Sequence, residues 1–152
     1  MKNKINYIKK NFDSIAILTV LTNVTLNNIS DPTIEDNLVI EAFRRYKKEF
    51  QNFSLEDIGN YLSEMNHNQL QGVINNVKGI LHEMEYVKLE NEDGDIINAA
   101  LFQNTNNPGY DVIMFDNNSG NSWNLQLKAT DNSSYVRDWI ESHPDGEIKI
   151  TE

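Results

Sequence analysis

The spacing of apolar residues changes period once along this chain. Through the first half they recur three and four apart; after residue 84 they fall into short extended runs separated by polar clusters. Leu38, Val39, Ala42, Phe43, Tyr46 and Phe50 have the spacing of one buried helical stripe. Asp31-Pro32 ahead of them predicts the start, an acceptor followed by a residue whose missing N–H costs nothing in a first turn. Ser54 with Asp57 predicts a second, capping-box start, continued at helical period by Leu55, Ile58, Tyr61, Leu62 and Met65. Leu70, Val73, Ile74, Val77, Ile80, Leu81 and Met84 predict a third helix, from about Asn68 to about Met84. The most apolar stretch, Ile15 to Leu26, is shorter than a membrane span and carries Thr19, Thr22, Asn23 and Thr25, so it is read as part of the core.

The second half reads as strands. Extended runs Tyr86 to Glu90 and Ile96 to Phe102 flank Glu92-Asp93-Gly94-Asp95, which predicts a hairpin. Asn104 to Gly109 is a loop by composition. Tyr110 to Phe115 and Trp123 to Ala129 flank Asn117-Asn118-Ser119-Gly120 and predict another strand pair. Thr130 or Asp131 can cap a short helix carrying Tyr135, Val136, Trp139 and Ile140, stopped by Pro144, and Glu147 to Thr151 reads as a last strand. Helices followed by β-β-β-β-α-β make an α+β pattern. It predicts an N-terminal helical region over 1–67 and an α/β core over 68–152, packed as one compact unit, because 152 residues suit a single core.

Composition excludes several kinds of chemistry. With no cysteine there is no disulfide, thiolate metal site or cysteine nucleophile. Neither a secretory cleavage site nor a spanning segment is visible, which predicts a cytoplasmic protein away from the membrane. The net charge of −10 is uneven: residues 1–79 hold nine Lys/Arg and nine Asp/Glu, whereas 80–152 hold four (Lys88, Lys128, Arg137, Lys149) against fourteen. A nucleic-acid binder ordinarily presents a basic footprint. Bound divalent metal, or the Arg44, Arg45, Lys47, Lys48 cluster, would have to offset the acids.

Alternation along the fourth predicted strand puts Asn124, Gln126 and Lys128 on one face and Trp123, Leu125 and Leu127 on the other. On the neighbouring strand, Asp111 follows a proline-glycine loop. If Asp116 pairs with Asn121 across the turn, Asp111 lies directly opposite Gln126, and a slip of two residues keeps it on the same face. A carboxylate and an amide oxygen are hard ligands suited to magnesium, which polarises a phosphate and acidifies a bound water. A lysine beside them can orient that water or stabilise charge developing on phosphorus. The plainer reading makes Asp111 a loop cap and Gln126 and Lys128 the polar face of a half-exposed strand.

Gly109-Tyr110-Asp111-Val112-Ile113, a hairpin, then Leu125-Gln126-Leu127-Lys128 followed by a helix and a strand resembles the core of the PD-(D/E)XK nuclease superfamily. The nearest variant is the Mrr-type restriction endonuclease, in which glutamine commonly replaces the glutamate of the signature. The resemblance covers roughly residues 80–151. It implies a restriction-endonuclease-like mixed sheet, α-β-β-β-α-β with an added hairpin strand, and Mg2+- or Mn2+-dependent cleavage of nucleic acid, DNA ahead of RNA. It also implies a metal-binding role for Asp111, a ligand or supporting role for Gln126 and a catalytic role for Lys128. A glutamate on the preceding helix often completes such a site, which nominates Glu83 on the flank of the apolar stripe, with Glu85 on the opposite flank as the alternative.

Two further readings stay open. The scaffold could be an inactive nuclease-like interaction module whose acidic half binds a basic protein, as in a toxin–antitoxin or phage-defence setting. Alternatively, Ser54 to Leu81 could form a helix-turn-helix presenting Asn68, Gln69, Gln71, Asn75 and Asn76 to a major groove. A homodimer is compatible with any of these. Glu92, Asp93 and Asp95 lack the full spacing of a calcium loop and read as a turn. His67, His82 and His143 show no metal-ligand spacing; His82 reads as exposed, with a proton-transfer role beside Glu83 left open.

Overall fold

The computed structural model describes residues 14–102, 111–129, 141 and 147–151. Its architecture is α+β. Four α-helices, α1 (Ser14–Thr25), α2 (Ile34–Tyr46), α3 (Leu55–Ser63) and α4 (His67–Glu92), precede four strands, β1 (Ile97–Leu101), β2 (Val112–Asp116), β3 (Ser122–Ala129) and β4 (Glu147–Thr151). The described residues separate after His82 into two compact units.

The first unit is helical. Helix α1 buries Ile17, Val20, Leu21 and Val24 but leaves Ile15, Leu18 and Leu26 exposed, so the apolar stretch is only partly core. It stops where Asn27 turns left-handed (φ 56°). Asn28 N–H then donates to Asn23 O (2.8 Å) and Asn27 N–H to Val24 O (3.1 Å), which satisfies two otherwise orphaned carbonyls. Helix α2 is capped by Thr33, in place of the expected Asp31: Thr33 Oγ1 accepts from Asp36 N–H, and the Asp36 carboxylate accepts from Thr33 N–H. A reciprocal box satisfies two groups at once, which Asp31 alone would not do. The expected stripe is buried at Val39, Ala42 and Phe43, and Phe50 joins it from a 3-10 turn (Lys48–Phe50), its ring stacked on that of Phe43 at 4.9 Å. Ser54 and Asp57 form the expected capping box of α3. Gly59 brings α3 onto the backbone of α1; a Cβ there would stand 3.2 Å from Val24 O.

Helix α4 overturns the first predicted hairpin. Tyr86 to Glu90 is helical, and α4 runs without interruption to Glu92. Tyr86, Val87 and Glu90 continue the three-and-four spacing that runs from Ile80 through Glu83, and nothing stops the helix before Gly94, whose φ of 84° suits a residue without Cβ. The added hairpin strand is therefore absent, and Glu92 to Asp95 joins a helix to a strand. The division of the described residues falls within α4. The reason lies in burial along this helix: Val73, Ile74, Val77, Ile80 and Leu81 are buried ahead of the division, whereas Tyr86 beyond it belongs to the core of the sheet.

That sheet has the order β1-β2-β3-β4, antiparallel except for the parallel β3/β4 pair. Ala99, Val112, Met114, Leu125 and Leu127 form its buried face with Tyr86, with Val87, Ile97, Leu101 and Trp123 packed around them. At the outer edge of β1 the Asn91 side chain stands in for a missing strand. Its Nδ2 donates to Ala99 O (3.0 Å) and its Oδ1 accepts from Ala99 N–H (2.8 Å). The helix expected at Tyr135 to Ile140 lies outside the described residues, although Glu141, after it, is helical. Among the described residues, no helix is long and apolar enough to cross a membrane.

Candidate active site at the start of strand β2

The hairpin turn between β2 and β3 sets the register that the site needs. Asp116 N–H donates to Asn121 O (2.9 Å), and the Asp116 carboxylate accepts from Asn118 N–H (2.8 Å), Ser119 N–H (3.2 Å) and the Ser119 hydroxyl (2.8 Å). These donors, the Ser119 hydroxyl foremost, hold the Asp116 carboxyl below its ordinary range. Gly120 completes the turn at φ 74°. With Asp116 so placed, Val112 pairs with Leu125 and Met114 with Trp123. This is the register expected from the sequence, and it sets Asp111 across from Gln126.

The two side chains meet. Gln126 Nε2 donates to Asp111 Oδ2, and the same oxygen accepts from the backbone N–H of Leu127 (2.9 Å). Asp111 N–H donates to Leu125 O (3.0 Å), just before β2 begins. The carboxylate therefore occupies the place on Leu127 N–H that the next residue of an antiparallel partner would take, and it closes the β2/β3 ladder. Gln126 is 4% exposed, whereas its neighbour two residues back, Asn124, is exposed. A buried amide on the polar face of a strand is uncommon, because its desolvation must be met by hydrogen bonds. Asp111 meets it here, with a longer contact from Nε2 to Leu127 O (3.4 Å).

Lys128 continues β3, its backbone paired with Ile150 of β4; its side chain lies outside the described residues. Glu83 is partly buried on α4. It precedes Tyr86, Val87 and Glu90 by three, four and seven residues, so it shares their helix face, whereas Glu85 falls on the side of the exposed Lys88 and Glu92. Tyr86 packs on the Leu125/Leu127 face of the sheet, and Gln126 belongs to the opposite face. Tyr86 and the Asp111–Gln126 pair thus lie on opposite faces of the sheet. The oxygen donors of Asp111 and Gln126 are of the right hardness for Mg2+. As placed, however, Gln126 offers its N–H side to Asp111.

Other charged groups are already engaged. Arg44 Nε donates to Phe53 O (3.0 Å). Lys47 Nζ bonds the Tyr61 hydroxyl (3.4 Å) and lies 5.4–5.8 Å from the ring centres of Tyr46, Phe50 and Tyr61, and this hydroxyl raises its pKa. Arg44 and Lys47, from the basic cluster expected to offset the acids, are thus bound to the helical core. Asn68, Gln69, Gln71, Asn75 and Asn76 are exposed, but Gln69 forms a reciprocal cap with Asn66, Gln71 bonds Asn75, and Asn76 bonds Gly72 O.

Glu90, Asp93 and Asp95 bring carboxylate oxygens within 4.8 Å of one another, a grouping the sequence reading missed because Glu90 was placed on a strand. Asp93 accepts from Asp95 N–H and Asp95 from Ile97 N–H, the bonds of a turn. His67 is exposed and His82 partly buried, short of the exposure expected for it; His143 lies outside the described residues. Compared with protein-family models, with curated proteins and with solved structures, this chain matches none.

Proposed function

We propose that the second unit is a nuclease domain of PD-(D/E)XK type, hydrolysing phosphodiesters with Asp111, Gln126 and Lys128. The observation that carries this reading is the meeting of the Asp111 carboxylate with the buried Gln126 side chain across the β2/β3 register. Two supports stand beside it. The pleat of β3 assigns positions 126 and 128 to one face. With Tyr86 to Glu90 helical, the order becomes one helix, three antiparallel strands and a fourth strand parallel to the third, closer to the proposed core than a version with an added strand.

In this reading Asp111 and Gln126 would hold Mg2+ or Mn2+, with Glu83 of α4 as the third member of the set. Such an ion, when bound, lowers the pKa of water and neutralises phosphate charge. Lys128 would place its ammonium against the phosphate and stabilise negative charge developing there. The Leu127 N–H bond fixes the Asp111 carboxylate, and the burial of Gln126 limits the motion of the amide, so the geometry is set before substrate arrives.

A second reading is favoured by the same bonds: Asp111 as a strand-end cap in a non-catalytic module that offers its acidic surface to a basic protein. Cleavage of plasmid DNA and of single-stranded RNA with Mg2+ or Mn2+ separates the two. Lys128→Ala should lower the cleavage rate about a hundredfold or more, while circular dichroism stays that of the parent. Metal-dependent cleavage that persists unchanged in Lys128→Ala would refute the assignment.

A further inference from the structure

The orientation of the Gln126 amide carries a consequence for how the site is loaded. A carboxylate oxygen accepts hydrogen bonds only, so the group facing Asp111 Oδ2 is the amide N–H, and the amide oxygen faces away. The same Oδ2 also holds Leu127 N–H at 2.9 Å. A neutral amide satisfies a carboxylate next to it; a second carboxylate in its place would repel. Glutamine at 126 therefore lets the Asp111 carboxylate and the buried amide satisfy each other.

Resting on the proposed metal-dependent function, we infer that the Gln126 amide is a latch that must turn over before a divalent cation can be held. Rotation about the Cγ–Cδ bond exchanges Nε2 for Oε1 on the Asp111 side. It breaks the bond to Asp111 Oδ2 and the longer one to Leu127 O, while Leu127 N–H keeps Asp111 in position. The buried amide gives up two acceptors, and the Asp111–Gln126 pair then offers one negative charge. Metal alone is bound weakly for both reasons. A phosphodiester, bringing a further anionic oxygen, strengthens that binding, so cation and substrate load together and the protein idles metal-free.

Three measurements on the full chain test this. First, the Gln126 side-chain NH2 signals, assigned by their loss in Gln126→Glu, are followed by 1H–15N NMR while Mg2+ is added with and without a short phosphodiester oligonucleotide. They should move little with Mg2+ alone and clearly when both are present. Second, Gln126→Glu should melt about 5 °C or more below the parent without metal. Third, this variant should bind Mn2+ alone about tenfold or more tighter by calorimetry. Mg2+ binding in the presence of the oligonucleotide that is lost in Asp111→Asn but leaves the Gln126 NH2 signals unmoved overturns the latch and leaves the nuclease reading standing. Absence of any metal-induced shift in melting, in parent and Gln126→Glu alike, overturns the metal-dependent function itself. Should Gln126→Glu fail to fold, the NMR titration of the parent, assigned through the backbone, still decides.

Discussion

Tyr86 and Asp111 show how a single side chain can be fixed by surroundings that the sequence does not display. Tyr86 is buried against the sheet, and that burial, with Glu90 one turn on, pushes its pKa up to about 12. The phenolate is disfavoured there. Because the folded value lies above the ordinary value of 10.0, its contribution to stability is complete below that pH and is lost as pH rises through the folded value. Equilibrium urea unfolding should show stability falling between about pH 10 and pH 12, with the fall reduced in Tyr86→Phe. Equal alkaline losses in both proteins would place the sensitive group elsewhere. Asp111 is different, because its partner was legible: the turn around Asn117 to Gly120 and the period of two on β3 together specify Gln126. The sequence could not say which side of the amide faces the carboxylate, since rotation leaves pattern and register unchanged.

Elements were read well where one signal dominated. Capping boxes at Ser54 and the stripes of α2 and α3 rest on local bonds and a regular period, and they appear as expected. Helix α4 was misjudged past Met84, because a short run such as Tyr86-Val87-Lys88-Leu89-Glu90 satisfies both periods. Packing of Tyr86 and Val87 on the sheet decides for the helix. That outcome gives Asn91 its role, since only from the end of a helix beside β1 can its amide reach both polar groups of Ala99. Asn91→Ala should cost about 1 kcal/mol in denaturant unfolding. It should also increase concentration-dependent self-association, because the β1 edge is then open to pairing with another strand. Unchanged stability together with unchanged sedimentation would show that the edge is guarded by something other than this amide.

At the scale of the whole molecule, charge and packing divide the chain at nearly the same place. The described residues separate after His82, close to the point beyond which fourteen acids face four cations. Repulsion among these acids opposes compaction, and monovalent salt screens it without entering a metal site. Melting temperature should therefore rise by a few degrees as sodium chloride goes from about 0.01 M to about 1 M, which shortens the screening length from about 30 Å to about 3 Å. A flat or falling profile would mean that the acids are already neutralised by their own neighbours. The same series separates screening by Mg2+ from specific binding at Asp111.

By itself the sequence determined the Ser54 cap of α3, the amphipathic faces of α2 and α3, the β2/β3 register and hence the pairing of Asp111 with Gln126, because each follows from local bonding or from a period shared with a tight turn. Tertiary structure decided that α4 continues through Tyr86, that Asn91 closes the edge of β1, and that Tyr86 packs on one face of the sheet while Gln126 lies on the other. These depend on which surfaces pack together, and a linear pattern compatible with two packings leaves the choice to the energy of burial.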